Sequence, residues 1–287
     1  MRARERADRE TAGAAVGLCF AGLVPYAWAA ALQERLADAR LAGIAPDVVL
    51  FLEHEPVITL GARAEESHIL LGRSELARRG IAVERSSRGG GVTYHGPGQL
   101  VMYPILKLDG READSRGYLR ALEDAAIGAA SDFGVKAFRR ERMTGAWTSA
   151  GKLAAIGVRF RRWVAYHGMS FNVAPDPAGF DAIVPCGLRG ERVASLKDFL
   201  GRDCPSVAAV VPRLARRSAP LSRRGRPVRT AMNGTFSRAA KSARILSVMK
   251  LSRGLDWPLP LRWRPGWAAK PAPSTITRVG PLRPAPV

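Results

Sequence analysis

Cysteine is scarce in this chain, and its few cysteines form no recognisable pattern. The three of them, Cys19, Cys186 and Cys204, are an odd number at wide spacing without a CxxC pair. Such spacing argues against a disulfide framework and against a structural zinc site, and it favours reduced thiols in a cytosolic compartment. We therefore expect a cytoplasmic protein.

Long apolar runs are also missing. No run reaches the length of a membrane span. Residues 13–31 follow a basic start, as the apolar part of a signal peptide does. However, the start also contains acidic residues, and Pro25 and Tyr26 interrupt the apolar stretch. We expect no membrane segment, and predict instead a strand near 15–20 followed by a helix from about 26 to 42.

Acidic residues nearly disappear from the last quarter of the chain. From Arg213 onward there are 17 Lys and Arg but one acid, Asp256, whereas residues 1–212 hold 28 basic and 24 acidic residues. The same last segment holds 10 of the 20 prolines. High net charge with scattered prolines predicts disorder. We divide the chain into a flexible N-terminus (1–14), a folded domain (15–212) and a disordered basic Pro/Arg-rich tail (213–287).

The folded domain shows no regular alternation of strands and helices. Several of its strands are joined by tight links, which is typical of hairpins. This pattern predicts an α+β fold, a mixed β-sheet flanked by helices, and not a parallel α/β fold. The predicted strands are 48–52, 81–85, 146–148, 152–160 and 163–173, and the predicted helices are 66–80, 114–133 and about 195–201.

Glycine is concentrated in residues 88–104, RGGGVTYHGPGQLVMYP. Five glycines fall between Arg88 and Gly98, and an arginine, a tyrosine, a histidine and a glutamine accompany them. Glycine allows close approaches that a Cβ would block. A plain turn between strands would not need the polar and aromatic residues, so we predict a segment that lets a ligand lie against backbone.

Several common catalytic motifs are absent. There is no Ser-His-Asp order, no HExxH, no GxxxxGK[ST] and no GxGxxG that opens a helix. The cluster Glu53, His54 and Glu55 could suggest metal binding, but Pro56 favours extended structure before it, so these side chains should alternate between faces. We expect no metal site there.

Cys186 has the strongest claim of the three thiols to a chemical role. Most lone cysteines are small buried hydrophobes, but Cys186 lies in a PCG loop that favours exposure. A thiol with a pKa near 8.5 needs a cationic or basic neighbour to react at neutral pH. The candidate neighbours are Lys152, His167 and His95.

Three long blocks resemble the signature blocks of the lipoyl(octanoyl) transferase family. They are RGGGVTYHGPGQLVMYPI, GKLAAIGVRFRRWVAYHGMSFNV and FDAIVPCGLRGERVASL, in the family's order, and the resemblance covers about residues 17–201. It implies a biotin/lipoate ligase-like α+β catalytic domain. It also implies transfer of an octanoyl or lipoyl group from acyl carrier protein to a lysine of lipoyl domains, the first step of endogenous protein lipoylation.

The resemblance assigns roles residue by residue. Cys186 matches the nucleophile that carries the acyl thioester, and Lys152 matches the lysine that lowers the thiol's pKa and shuttles the proton. The residues that match the acyl-substrate-binding positions are Arg88, Gly89, Gly90, Gly91, Val92, Thr93, Tyr94, His95, Ala155, Ile156, Gly157, Gly168, Met169 and Ser170.

The resemblance also implies the partners. The donor would be octanoyl-acyl carrier protein, and the acceptors would be the lipoyl domains of 2-oxoacid dehydrogenase complexes and the glycine cleavage H protein. No cofactor and no metal is implied. The chain departs from the family at Ala194, where threonine is common, and at Gly91, where a bulkier polar residue is frequent, and the family's closing segment is not recognisable past about 205.

Two other functions remain open. An ATP-dependent lipoate or biotin-type ligase would activate the acid as an adenylate and would need no cysteine; Cys186 and Lys152 argue against it. The basic tail could bind nucleic acid through phosphate contacts. Aromatic residues that could stack on bases are sparse in the tail, so we favour a solvated tail without nucleic acid.

Overall fold

A seven-stranded mixed β-sheet forms the centre of the computed structural model, which describes residues 16–108, 113–184 and 190–222. The predicted flexible N-terminus, Cys186 and the tail beyond Ser222 lie outside these residues. The strands of the main sheet are β1 (Gly17–Val24), β2 (Val48–His54), β6 (Gln99–Lys107), β7 (Phe138–Arg140), β8 (Met143–Thr148), β9 (Gly151–Arg161) and β10 (Val164–Asn172).

The order of strands in the main sheet is β1-β2-β6-β10-β9-β8-β7. The first pair, β1 and β2, is parallel. The remaining neighbours are antiparallel. Since β7 to β10 follow one another through short connections, this half of the sheet is the hairpin array that the sequence predicts.

One helix covers one face of this sheet. Helix α1 (Tyr26–Leu41) begins directly after Pro25, which has no amide hydrogen and so suits a helix start. Val48, Leu50 and Leu52 of β2 pack with Leu36 and other residues of α1. Their spacing of two residues places them on the same side of the strand.

Two further helices cover the opposite face. They are α3 (Ser115–Ser131) and α5 (Val207–Ser218). Val49 and Phe51, which alternate with the α1-facing residues of β2, join Leu122 of α3 in this second core. Because β2 is buried on both faces, its sequence is continuously apolar and not alternating.

A smaller sheet lies beside the main one. It contains β3 (Val57–Leu60), β4 (Ala82–Arg85) and β5 (Val92–His95), in the order β4-β3-β5, and a third apolar cluster fills one side of it. The short helix α2 (Arg73–Arg78) contributes Leu76 to that cluster. The last short helix, α4 (Lys197–Leu200), lies within the predicted range.

The prediction of one helix over 66–80 is wrong. The segment holds a single 3₁₀ turn, Glu66–His68, and α2 begins only after Gly72. Between them Ile69 forms a β-bridge with Ile183, and Leu70 N–H donates to Ala182 O at 2.8 Å. This long-range pairing holds the backbone extended and overrides the local helical pattern.

The predicted domain end at residue 212 falls inside a helix. Although Pro212 lies within α5, the helix continues to Ser218, and a 3₁₀ turn follows over Ala219–Ser222. Leu214, Ala215 and Leu221 are buried in the core shared with α3. The folded domain therefore extends at least to Ser222, because apolar residues in the basic segment still face the core.

Among the described residues, no helix is long and apolar enough to cross a membrane.

Candidate active site

The glycine-rich segment is held in place by Arg88, which is 9% exposed. Its Nη2 donates to Thr59 O and Gly91 O, each at 2.8 Å, and its Nη1 donates to Gly89 O at 3.0 Å. These bonds tie the turn to the end of β3. Arg88 therefore shapes the glycine loop through its own guanidinium, and its rigid fork of donors suits several carbonyl acceptors at once.

The glycines let three backbones approach one another. A Cβ on Gly61 would lie 2.5 Å from Gly90 O, and a Cβ on Gly157 would lie 2.7 Å from Gly89 O. The amide of Gly89 also donates to Val158 O at 3.0 Å. No side chain larger than hydrogen fits at these contacts, so the loop is pressed directly against β3 and β9.

The other two predicted substrate-binding pieces lie side by side in the main sheet. Gly168, Met169 and Ser170 of β10 pair in register with Gly157, Ile156 and Ala155 of β9, respectively. Gly157 in turn contacts Gly89. The structure therefore brings all three pieces of the predicted acyl-binding site together.

Within the glycine-rich segment, side chains alternate between two environments. Val92 and Tyr94 are buried in the apolar cluster of the small sheet. Thr93 and His95 are buried polar residues on the same strand and so point the other way. Of the matched residues on β5, Thr93 and His95 face away from the small-sheet core.

Three buried histidines, His54, His95 and His167, form a group with two tyrosines. The rings of His54 and His95 are 5.7 Å apart, Tyr26 stacks on His95 at 6.4 Å, and the ring of Tyr103 lies 6.2 Å from that of His167. The sequence suggests His54 only as a possible metal ligand. Its position at the end of β2, opposite β6, was not visible without the pairing of those strands.

The histidines are neutral at physiological pH. Burial lowers the pKa of His54 to about 4. Burial also lowers the pKa of His95 to about 3, with His54 as a further cause. The pKa of His167 is lowered to about 3, first by burial and then by the charge of Arg88. The group therefore adds polarity without charge to a buried cluster of histidine and tyrosine rings.

A chain of hydrogen bonds leads from the glycine loop toward Lys152. Arg88 Nε donates to Thr59 Oγ1, which lies 3.4 Å from His95 Nε2, and His95 Nδ1 donates to Gln99 Oε1 at 2.6 Å. Gln99 Nε2 then donates to Asn172 Oδ1 at 2.9 Å. Because an amide oxygen only accepts, the hydrogen of the bond to Gln99 Oε1 must be on His95 Nδ1. The hydrogen bonds therefore fix the Nδ1–H tautomer of His95.

Asn172 ends this chain at the backbone around Lys152. Its Nδ2 donates to Ala194 O at 2.9 Å and lies 3.4 Å from Lys152 O. At position 194 this chain has alanine where the family commonly has threonine. The residue is buried, and its hydrogen bonds here are made by its backbone N–H and C=O groups, which do not depend on the missing hydroxyl.

Lys152 lies at the start of β9, beside residues 190–194, which follow Cys186 in the chain and are called here the segment after the cysteine loop. Its amide donates to Arg192 O at 2.8 Å, and its carbonyl accepts from Ala194 N–H at 3.0 Å. Its Nζ lies 4.7 Å from the centroid of the Trp147 ring. Gly151 makes the close approach possible, since its φ is +143° and a Cβ there would lie 2.3 Å from Arg192 O.

Cys186 itself lies outside the described residues. Before it in the chain, Val184 N–H donates to His68 O at 2.8 Å; after it, Arg192 and Ala194 bond to Lys152. The other two thiols are poor nucleophiles. Burial raises the pKa of Cys19 to about 11, and it also raises the pKa of Cys204.

The residues Glu53, His54 and Glu55 do not converge. The carboxylate of Glu53 accepts from Gly98 N–H at 2.8 Å, and His54 is buried between Val24 O and the hydroxyl of Tyr103. Glu55 is exposed. Over residues 16–108, 113–184 and 190–222, no cluster of three or more His, Cys, Asp or Glu side chains could hold a metal ion.

The site and fold match a known family. The model of the lipoyl protein ligase A/B catalytic domain matches residues 25–218, so the chain belongs to this family. An octanoyltransferase from Syntrophotalea carbinolica is 50% identical over 181 residues, which cover 63% of this chain and 82% of that protein. The predicted family and the predicted enzyme class, octanoyltransferase, are thereby confirmed.

Solved structures share the fold. Lipoate-protein ligase A bound with ATP superposes with a TM-score of 0.59 at 18% identity, covering 82% of this chain and 95% of that one. A bipartite lipoate protein ligase, studied with its E2 lipoyl domain from Thermoplasma acidophilum, gives a TM-score of 0.57 at 17% identity over 82% and 93% of the two chains. The predicted ligase-like α+β fold is confirmed.

Proposed function

We propose that the enzyme transfers an octanoyl or lipoyl group from acyl carrier protein to a lysine of a lipoyl domain through a thioester on Cys186. The observation that carries this proposal is the position of Lys152. Its backbone bonds to Arg192 and Ala194, which follow Cys186 in the chain by six and eight residues. This short separation along the chain supports a common site for Lys152 and Cys186.

The first step forms the acyl-enzyme. The amine of Lys152 takes the proton of the Cys186 thiol, and the thiolate attacks the thioester carbonyl of the donor. The tetrahedral intermediate collapses, the bond from the acyl carbon to the donor sulfur breaks, and the departing thiolate takes the proton from the Lys152 ammonium. One thioester replaces another, so the step requires no external energy source.

The second step forms the amide. The neutral amine of the acceptor lysine attacks the acyl carbon on Cys186, and Lys152 accepts the proton that the attacking nitrogen loses. The Cys186 thiolate leaves and takes that proton back, which regenerates the free enzyme. Conversion of a thioester to an amide is downhill, so the reaction needs no ATP.

The glycine contacts and the histidine group suit an acyl chain. Gly157 and Gly168 let the matched pieces pack backbone against backbone, since an added Cβ would lie 2.7 Å from Gly89 O and 2.2 Å from Met102 O, respectively, and the neighbouring histidines carry no charge at neutral pH. Burial of a linear C8 chain against such surroundings is favourable by roughly 0.8 kcal/mol per methylene. We assign the acyl group to the surface beside these residues.

The partners follow from the reaction. The acceptor is a lipoyl domain, which is the kind of partner studied with a fold neighbour from Thermoplasma acidophilum. We propose octanoyl-acyl carrier protein as the donor, and the lipoyl domains of 2-oxoacid dehydrogenases and the glycine cleavage H protein as acceptors. The cytoplasmic location stays a prediction.

Intact mass spectrometry tests the proposal. The full chain and its Cys186→Ala variant are each mixed with octanoyl-acyl carrier protein. We expect an octanoyl adduct on the wild type only, which hydroxylamine removes because it cleaves thioesters. An adduct on both proteins would place the nucleophile elsewhere.

The ligase alternative is tested in the same samples. If folded wild type gives no adduct, and if modification of a lipoyl domain appears only with ATP and free octanoate, the enzyme is a ligase. Circular dichroism of each sample shows whether the protein is folded.

A further inference from the structure

Trp147 lies beside Lys152 in the main sheet. The two residues are opposite each other in the β8–β9 register. The indole is 1% exposed, and its Nε1 donates to Met143 O at 3.0 Å. The Nζ atom of Lys152 lies 4.7 Å from the ring centroid, within the distance at which an ammonium is attracted to an aromatic face.

A second cation contacts the same ring. The guanidinium carbon of Arg140 lies 4.5 Å from the Trp147 centroid. In the part of the chain that the structure describes, Trp147 is not a member of the three apolar core clusters. A buried tryptophan covered by two cationic side chains is unlike an ordinary core residue.

Arg140 is also tied to the segment after the cysteine loop. Its Nη1 lies 2.7 Å from Glu191 Oε2. This hydrogen bond is the main cause that lowers the pKa of Glu191, so the pair is charged at neutral pH. Glu191 directly precedes Arg192, whose carbonyl accepts from the amide of Lys152. The ring, both cations and this segment thus form one connected group.

We infer that Trp147 is a positioning residue that holds the ammonium of Lys152, and that the Arg140–Glu191 pair keeps the ring aligned with the segment after the cysteine loop. The inference rests on the proposed role of Lys152 as the proton carrier. A lysine stem has four flexible carbons, so a fixed aromatic face restricts where its nitrogen lies. Misplacement of a catalytic group by about 1 Å can cost about 100-fold in rate.

A double-mutant cycle tests the inference. The acylation rate of the full chain by octanoyl-acyl carrier protein is measured in Trp147→Leu, Trp147→Phe, Lys152→Ala and the Trp147→Leu/Lys152→Ala double variant. We expect Trp147→Leu to lower kcat about 10- to 100-fold with little change in KM. Trp147→Phe, which keeps an aromatic face, should restore most of the rate.

The decisive measurement is the effect of Trp147→Leu once Lys152 is gone. If Trp147 acts through Lys152, the second substitution should change the rate of Lys152→Ala less than about 2-fold. Equal effects in both backgrounds would overturn the inference and leave the proposed function standing. A Lys152→Ala variant with wild-type activity would overturn the proposed role of Lys152 and this inference with it.

Three further variants complete the test, and Arg140→Gln keeps the inference testable if Trp147→Leu does not fold. Trp163→Leu removes a half-exposed tryptophan at the β9–β10 connection and should leave the rate unchanged. Arg140→Gln changes a side chain that is 38% exposed, and it should lower kcat about 2- to 10-fold, an effect of one cation–π contact or ion pair. Arg142→Gln, on the same hairpin, is its control. Equal rates in the Arg140 and Arg142 variants would overturn the role of the Arg140–Glu191 pair.

Discussion

Gln99 Nε2 donates a 2.9 Å hydrogen bond to Oδ1 of Asn172 and so connects the buried histidines to the backbone around Lys152. This bond uses the acceptor of the Asn172 amide and leaves its two hydrogens for Ala194 O and Lys152 O. Both hydrogens and the oxygen of the amide are thus bonded in a buried setting, where a polar group left without a partner costs stability.

Replacement of Asn172 by aspartate should therefore destabilise the protein. A carboxylate has no hydrogen to donate to the carbonyls of Ala194 and Lys152, and it would face them as a third acceptor. We expect the free energy of unfolding to fall by about 1–3 kcal/mol, measured by urea denaturation at pH 7. Asn172→Ala loses the same donors without the charge and should be less severe. A wild-type urea midpoint in Asn172→Asp would contradict this reading of the bond network.

Gly151→Ala should separate Lys152 from the segment after the cysteine loop. Gly151 has a φ of +143°, and an added Cβ would lie 2.3 Å from Arg192 O, so the backbone contact must open. We expect the acylation rate to fall by about 100-fold, the effect of a displacement of about 1 Å at a catalytic group. Single-turnover acylation by the octanoyl donor measures it.

The matched control for that change is Gly43→Ala. Gly43 also has a positive φ, +72°, but an added Cβ would meet no atom within 4 Å. This variant carries the backbone strain of about 1–2 kcal/mol without the clash. It should lose some stability and keep its acylation rate. Equal rates for the two variants would show that the contact with Arg192 does not position Lys152 for acylation.

The sequence predicts the site in two ways. The glycines of residues 88–98 stand out as a local pattern, whereas the roles of Lys152 and Cys186 follow only from the resemblance to the family and stay a proposal. The residues that these side chains contact could not be predicted. Thr59 meets Arg88, and Trp147 meets Lys152, through strand pairing whose register no local pattern encodes.

The same limit explains the errors in the fold. Residues 66–80 have a helical pattern, but Ile69 pairs with Ile183, more than a hundred residues away. The composition predicts a domain end at 212 because charge dominates it there, whereas a few apolar side chains, such as Leu214, decide whether a helix packs. Tertiary contacts outweigh local propensity in both segments.

The stability of the folded domain should fall as the pH is lowered from 7 to 5. The pKa of His54 is about 4 and those of His95 and His167 are about 3 in the folded protein, against about 6.5 in an unfolded chain. Below about pH 6.5 the unfolded state binds more protons, so the free energy of unfolding decreases by up to about 1.4 kcal/mol per pH unit for each histidine.

Urea denaturation at several pH values measures this slope. The three histidines together give a slope of up to about 4 kcal/mol per pH unit once the unfolded chain is fully protonated at them. In His54→Gln the slope should fall by about one third, because one titrating group has been removed. A free energy of unfolding that stays constant from pH 7 to pH 5 would mean that the histidines are not buried in their neutral form.

Truncation should locate the end of the folded domain at Ser222 and not at Pro212. A chain that ends at 222 keeps α5 with its buried Leu214 and the buried Leu221 of the following turn. A chain that ends at 212 loses both leucines from the core shared with α3, at about 1.5–3 kcal/mol each. It also loses the ion pairs of Arg216 and Arg217 with Asp132.

We expect the 1–222 chain to match the full chain in urea midpoint and acylation rate, and the 1–212 chain to unfold at a much lower urea concentration. Equal stability of the two truncated chains would show that α5 adds nothing to the core and would restore the boundary at 212.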